Sequence, residues 1–362
     1  MKMKQVTKML AAFSMAAVVM TGCGNGATEE VLNNNESVEE NTEIGESPEE
    51  SQEETLDSQE KSVQEESEQE NNSQEAADEE EDYTTGDASL DNTRNQDEIG
   101  ENELLVISFG TSFNDNRRLT IGAVENKMEE AFTDYSVRRG FTSQIIIDHV
   151  KKRDQVTIDN VEEALNRAVD NGVKRLVIQP THLMDGLEYN DVVQEVAEYS
   201  DSFEKVAVGK PLLTSDEDFQ AVMKAITDAT ASYDDGETAI CFMGHGTEAA
   251  SNSVYEKMQN MLTEAGFANY YVGTVEAEPT LEDVLAKVQA GKYKKVVLEP
   301  LMIVAGDHAN NDMAGDEEGS WKKTFEDAGY EVECILKGLG EMEAIQDLFV
   351  EHAQAAMDTI AE

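Results

Sequence analysis

Short apolar runs alternate with longer helical patterns from residue 104 to residue 359, and the whole alternation occurs twice. In the first round the runs are L-L-V-I-S-F (104–109), R-L-V-I-Q-P (175–180) and K-V-A-V-G (205–209). In the second they are A-I-C-F-M (239–243), Y-Y-V-G-T-V (270–275) and K-V-V-L-E-P (295–300). These runs are rich in β-branched residues and too short for helices. Helical spacing fills the intervals at 161–169, 216–229, 253–265 and 281–288, and a last helix is expected at 341–359. Strands alternating with helices predict a mostly parallel sheet flanked by helices. The two rounds also share their punctuation. Ser108-Phe109-Gly110-Thr111 follows the first strand of one, and Gly244-His245-Gly246-Thr247 follows the first strand of the other. Gln179-Pro180 precedes Gly186 by the spacing at which Glu299-Pro300 precedes Gly306, with Glu188 and His308 two positions beyond. Recurrence in order, each time just after a strand, indicates two similar α/β half-domains, expected at 101–230 and 231–362. The cleft at the carboxyl ends of the strands is then the place for a ligand.

The chain ahead of these halves cannot fold the same way. Residues 24–100 hold 27 Asp and Glu against Lys61 and Arg94 alone. Low hydrophobicity with high like charge leaves too little apolar surface to offset the entropy of ordering. Residues 23–100 are therefore expected to be an acidic, disordered tether. Ahead of it, Lys2, Lys4 and Lys8 precede an apolar run of 12 residues, Met9 to Met20. A basic start, a short apolar stretch and small residues read as a secretory signal at 1–22. The run is shorter than the roughly 20 residues a spanning helix needs. Met20-Thr21-Gly22-Cys23 resembles a bacterial lipobox, which implies lipidation of Cys23 and an extracytoplasmic protein anchored to a membrane.

From Glu101 onward there are 50 acidic residues against 22 basic ones. Such a surface repels phosphate backbones and attracts cations, so nucleic acid is not an expected partner. After Cys23 only Cys241 and Cys334 remain, both in apolar strand-like runs, which suits core thiols better than a disulfide framework.

Of five histidines, His245 and His308 follow predicted strands of the second half, and Glu276 ends a third. Two imidazoles and a carboxylate suit a divalent transition metal with positions left open. Imidazole can also accept a proton near neutral pH. The plainer reading of the same residues is a turn-capping His245 and a loop His308. His182, at a strand end of the first half, is a candidate for lining the cleft.

The motifs S-F-G-T-S (108–112), G-F-T-S (140–143), Q-P-T-H-L-M-D-G-L-E-Y (179–189), M-G-H-G-T (243–247), T-V-E-A-E-P-T-L (274–281) and P-L-M-I-V-A-G-D-H-A-N-N-D-M-A-G-D (300–316) carry a resemblance. Together the segment resembles the anaerobic sirohydrochlorin cobaltochelatase family, of the class II chelatase superfamily. The resemblance implies that His245, Glu276 and His308 hold metal and that His245 is the catalytic proton acceptor. It departs from the family's usual V-E-G-Y-P at Ala277 and Glu278. It implies insertion of Co2+, with Fe2+ and Ni2+ as further candidates, into sirohydrochlorin or a related tetrapyrrole. The metal is then a substrate, and no organic cofactor is inferred. Ser108, Gly110, Thr111, Ser112 and His182 are the expected substrate-binding residues, with Arg117 or Arg118 as donors to substrate carboxylates. Expected partners are the tetrapyrrole, the membrane through the lipid anchor, and further copies of the chain in a homo-oligomer. The alternative is a surface lipoprotein that captures metal or a haem-like tetrapyrrole without turnover.

Overall fold

The structure is a computed structural model and describes residues 85–361. The signal segment, Cys23 and the tether as far as residue 84 lie outside the described residues.

The first half forms one parallel sheet from β1 (Asn102–Ser108), β2 (Ser136–Phe141), β3 (Arg175–Pro180) and β4 (Lys205–Val208), in the order β2-β1-β3-β4. The second half repeats it with β5 (Thr238–Gly244), β6 (Tyr270–Thr274), β7 (Lys295–Pro300) and β8 (Glu331–Cys334), ordered β6-β5-β7-β8. Even the register recurs. Ser108 pairs with Phe141 and Ile107 with Pro180, as Gly244 pairs with Thr274 and Met243 with Pro300. The doubled parallel α/β architecture read from the sequence is therefore the fold of the protein.

Ten α-helices of the described residues connect the strands. They are α1 (Asn114–Leu119), α2 (Ile121–Ala131), α3 (Gln144–Asp154), α4 (Val161–Asp170), α5 (Leu187–Glu198), α6 (Asp216–Thr230), α7 (Ser253–Glu264), α8 (Leu281–Ala290), α9 (Trp321–Asp327) and α10 (Glu343–Thr359). Reciprocal side-chain caps start three of them: Asn160 with Glu163, Ser215 with Asp218, and Thr280 with Asp283. Each pair satisfies two backbone donors that the first turn leaves open. None of the described helices is long and apolar enough to cross a membrane.

Alternate residues of β1 serve two cores. Leu105 and Ile107 join Ile178 and the α4 side chains Leu165 and Ala168. Leu104 and Val106 face the other way, into a cluster with Ile226, Phe242, Met258, Val297 and Phe349. That cluster draws on both sheets, so the halves share one core. The chain also crosses back at its end. Expected with residues 231–362, α10 packs on α2, α6, β3 and β4 of the first half. His352 lies at that joint, 3.0 Å from Asp218 Oδ1 and 3.1 Å from the Lys210 carbonyl.

One boundary is corrected. The tether was expected to run to residue 100, but residues 85–100 pack onto the first half. The Thr85 carbonyl accepts from Asp115 N–H at 2.7 Å. Asp91 accepts from Arg117 Nε and Arg139 Nη1, both at 2.7 Å. Arg94 donates to Asn126 at 2.6 Å and to Glu129 at 3.1 Å. An acidic residue of this segment, Asp91, thus supplies a counter-ion to two buried arginines.

Candidate metal and substrate cleft

His245 stands immediately after β5, and the two glycines beside it explain how. A side chain at Gly244 would meet the Tyr255 ring at 2.1 Å. Tyr255 is buried there, and its hydroxyl accepts from Gly246 N–H at 3.4 Å. Burial pushes that phenol up to about 12. Gly246 has φ +94°, and a side chain on it would meet Ala277 N at 2.8 Å. Glycine here allows the loops after β5 and β6 to touch. They are joined by backbone bonds, with Val275 and Glu276 N–H both donating to the His245 carbonyl, at 3.0 and 2.9 Å. Glu276 is thereby held beside His245, with its Oε2 3.7 Å from His245 Nδ1.

His308 enters from the loop after β7. It opens a single π-helical turn, Ala309–Met313, a distortion frequent at functional positions. The turn brings Asp312 Oδ2 to 2.7 Å from His308 Nδ1. The His245 and His308 rings meet edge to face, with centroids 4.6 Å apart and planes at 83°. His245, Glu276 and His308 each offer a ligand atom within 4.8 Å of the others. Bonds of about 2.1 Å to one ion would place tetrahedral donors roughly 3.4 Å apart, which side-chain rotation supplies.

The hydrogen bonds also fix the tautomers. A carbonyl can only accept, so His245 Nδ1, 2.8 Å from the Gly246 carbonyl, carries hydrogen and Nε2 presents its lone pair. Asp312 does the same for His308. A carboxylate on the far nitrogen is the usual support of a metal-binding imidazole. Burial disfavours a charged His308, but the bond and charge of Asp312, with Glu276 and Asp307, outweigh it and raise its pKa. Burial raises Asp307, with the Asp312 charge adding to it. The side chains of His245 and Glu276 remain 44% and 51% exposed, which leaves the set open to a second ligand.

The expected substrate residues fall on the first half's loops. Ser108 is buried, its hydroxyl 2.7 Å from Thr181 Oγ1. Gly110, with φ +108°, lies against the Phe141 ring, which a side chain would meet at 2.6 Å. Thr111 faces the half that carries His245, Glu276 and His308, because a side chain at Gly306 would come within 3.2 Å of its Oγ1. The Ser112 carbonyl accepts from Arg153 at 2.6 Å. His182 is buried, with neither ring nitrogen hydrogen-bonded and Glu188 Oε2 3.6 Å away. Burial lowers its pKa to about 4. Arg117 is a correction. It is fully buried and bonded to Asp91, the Thr111 carbonyl and Asn114, so it supports the loop from behind and does not reach a substrate. Arg118 pairs with Asp115 at 3.3 Å. Sequence reasoning gave Asp312 no role, although its position four residues after His308 places it one helical turn away.

Two like parallel α/β halves with such a donor set at the strand ends have the fold of a chelatase. SirB from Bacillus subtilis with Fe3+ matches with a TM-score of 0.52 at 11% identity, over 73% of this chain and 98% of that one. That likeness concerns the fold alone. The protein belongs to the cobalt chelatase (CbiK) family, whose model matches residues 102–358. It is 36% identical over 259 residues to a sirohydrochlorin cobaltochelatase of Salmonella typhimurium, covering 72% of this chain and 97% of that protein. It is 30% identical over 276 residues to sirohydrochlorin cobaltochelatase CbiKC of Nitratidesulfovibrio vulgaris, covering 75% of this chain and 97% of that protein.

Proposed function

We propose that this protein is an enzyme that inserts Co2+ into sirohydrochlorin or a closely related tetrapyrrole. The carrying observation is the convergence of His245, Glu276 and His308 at the strand ends of a cobalt chelatase family member. The substrates named for the two relatives support the choice of metal and macrocycle. Insertion exchanges one divalent ion for two pyrrole protons. The three side chains hold the incoming ion through two imidazole nitrogens and a carboxylate. As the macrocycle takes the metal, His245 Nε2 is released and accepts one of the two pyrrole protons, and solvent water takes the other. Asp312 keeps His308 oriented through the exchange. An acidic surface draws the cation in. Fe2+ and Ni2+ suit the same donors and are the natural competitors.

The site of action in this proposal is the outer face of a membrane. Support comes from the basic and apolar start of the chain and from Met20-Thr21-Gly22-Cys23. Cys23→Ala should release the protein from the membrane fraction; retention there would remove the lipid anchor from the proposal.

Turnover tests the chemistry. Purified protein given sirohydrochlorin and Co2+ is expected to convert many equivalents, and His245→Ala to abolish conversion. A spectrum that stops changing after one equivalent would leave only the binding role of a capture lipoprotein. A wild-type rate in His245→Ala would remove that residue from the site.

A further inference from the structure

The duplicated fold sets two equivalent loops side by side for comparison. The loop after β1 and the loop after β5 both turn on a glycine with positive φ, +108° at Gly110 and +94° at Gly246. Their strands share order and register. Phe109 therefore leaves its sheet edge as His245 leaves its own. Where the second half presents a metal ligand, the first presents a benzyl ring. Phe109 is 42% exposed, unusual for a large apolar side chain at a strand end. A second such residue lies nearby in the fold. Leu187, one residue past Gly186, holds the position that Asp307 holds past Gly306, and it is 61% exposed.

Phe109 follows β1 and Leu187 opens α5, each beside a loop that faces the half carrying His245, Glu276 and His308. Two residues after Phe109, Thr111 approaches Gly306, which is two residues before His308. Asn116 Oδ1, further along, accepts from Ala305 N–H at 2.9 Å. On the other loop, a side chain at Gly186 would come within 3.5 Å of Ser251 Oγ, in the turn that follows His245 and Thr247. The backbone segments that carry these exposed apolar groups thus border the half that carries His245, Glu276 and His308. A macrocycle bearing carboxylates gains little from the charge of so acidic a surface. Arg117 and Arg118 are also engaged elsewhere. A flat conjugated ring system can be held through its face instead, by offset stacking on an aromatic ring and contact with an aliphatic one.

We propose that Phe109 and Leu187 form the apolar wall against which the macrocycle face lies, across the cleft from the metal donors. This assignment rests on the tetrapyrrole reading above and adds the residues that position the ring. Phe109 and Leu187 are then positioning residues in contact with substrate, and the loss of the ligand from the first half is what makes room for the ring.

The test measures three quantities on Phe109→Ala, Leu187→Ala, the double variant and Phe109→Trp. They are sirohydrochlorin affinity without metal, KM and kcat for Co2+ insertion, and Co2+ affinity without tetrapyrrole. Phe109→Ala is expected to weaken sirohydrochlorin binding and raise its KM by about tenfold, with Co2+ affinity unchanged. The double variant should lose more, and Phe109→Trp should retain wild-type binding. Unchanged sirohydrochlorin affinity in the double variant would overturn the wall. So would a parallel loss of Co2+ affinity, because that marks a collapse of the cleft. Wild-type protein that holds no sirohydrochlorin at all would overturn the function itself, an outcome distinct from the other two.

Discussion

At the scale of single residues, the proposed metal ligands depend on partners that are not ligands themselves. Asp312 fixes the His308 ring through a 2.7 Å bond, and without it the imidazole is free to rotate and to exchange tautomers. Asp312→Ala should weaken Co2+ binding by about 10–100-fold while leaving the fold intact. A Co2+ titration monitored by absorbance checks this, and an affinity equal to wild type would remove Asp312 from the site. Tyr255 acts on His245 less directly. Its ring fills the space beside Gly244, and its hydroxyl accepts from Gly246 N–H. Glycine flanks this histidine because one neighbour must admit a ring and the other must admit a loop.

Elements show what the sequence could and could not reveal. The strands whose apolar pattern is unbroken, such as β1, β5 and β7, were legible from composition alone. β2 was not. Its centre is Arg138 and Arg139, which read as surface residues, yet both are fully buried. Arg138 pairs with Glu103 at 3.1 Å and Asp159 at 2.9 Å, and Arg139 with Glu125 and Asp91 at 2.7 Å each. No periodicity rule finds a strand whose core contacts are ionic and whose partners lie far away in sequence. The same blindness hid the segment from Thr85 to Gly100, where Asp91 looked like one more tether charge. The candidate site was easier to place. His245, Glu276 and His308 each follow a legible strand, and their ligand atoms lie within 4.8 Å of one another. Strand ends alone left a turn-capping His245 and a loop His308 equally open, and only the family resemblance gave the three a shared role. Asp91 now allows a prediction about the segment that carries it. Asp91→Ala leaves Arg117 without a carboxylate and Arg139 with Glu125 alone. Breaking a buried pair on one side costs about 3–5 kcal/mol, because the remaining charge stays buried. Denaturant unfolding should show a loss of this order, and at least as large a loss on removing residues 1–100, which also carry Arg94 and its bonds to its partners. Removal of residues 1–84, which keeps Asp91, should cost less than removal of residues 1–100 by about this amount. Equal stability of the two truncations would show that the segment contributes nothing to the fold.

For the molecule as a whole, duplication allows one half to act as a control for the other. Gln179 and Glu299 hold equivalent places, each one residue before the proline that ends its strand, and both are buried. Val177 and Val297, two residues before them, belong to the core shared by the halves, so both polar side chains project to that side. Gln179 donates to the Pro180 and Lys210 carbonyls at 2.9 Å each. Glu299 Oε2 has no hydrogen-bond partner, and burial pushes its carboxyl up to about 7, against a pull downward from Lys337 and with a push upward from Glu341. The folded state therefore holds a proton that the unfolded chain releases at an ordinary carboxylate pKa of about 4.3. Between those two values the native protein binds more protons than the unfolded one, so this group's contribution to stability falls as pH rises. Above about 7 the carboxylate is ionised in the core at its full cost. Glu299→Gln, the residue that the first half carries, removes that dependence. It should be more stable than wild type at pH 8, on the order of 3–4 kcal/mol. The difference should shrink toward zero as pH falls to 4.5. Glu103, which burial also pushes up to about 7, titrates in the same window but is common to both proteins and cancels in the difference. Urea unfolding of the two proteins across pH 4.5 to 8 provides the comparison. A gap that stays constant over that range would mean that Glu299 does not change its ionisation on folding.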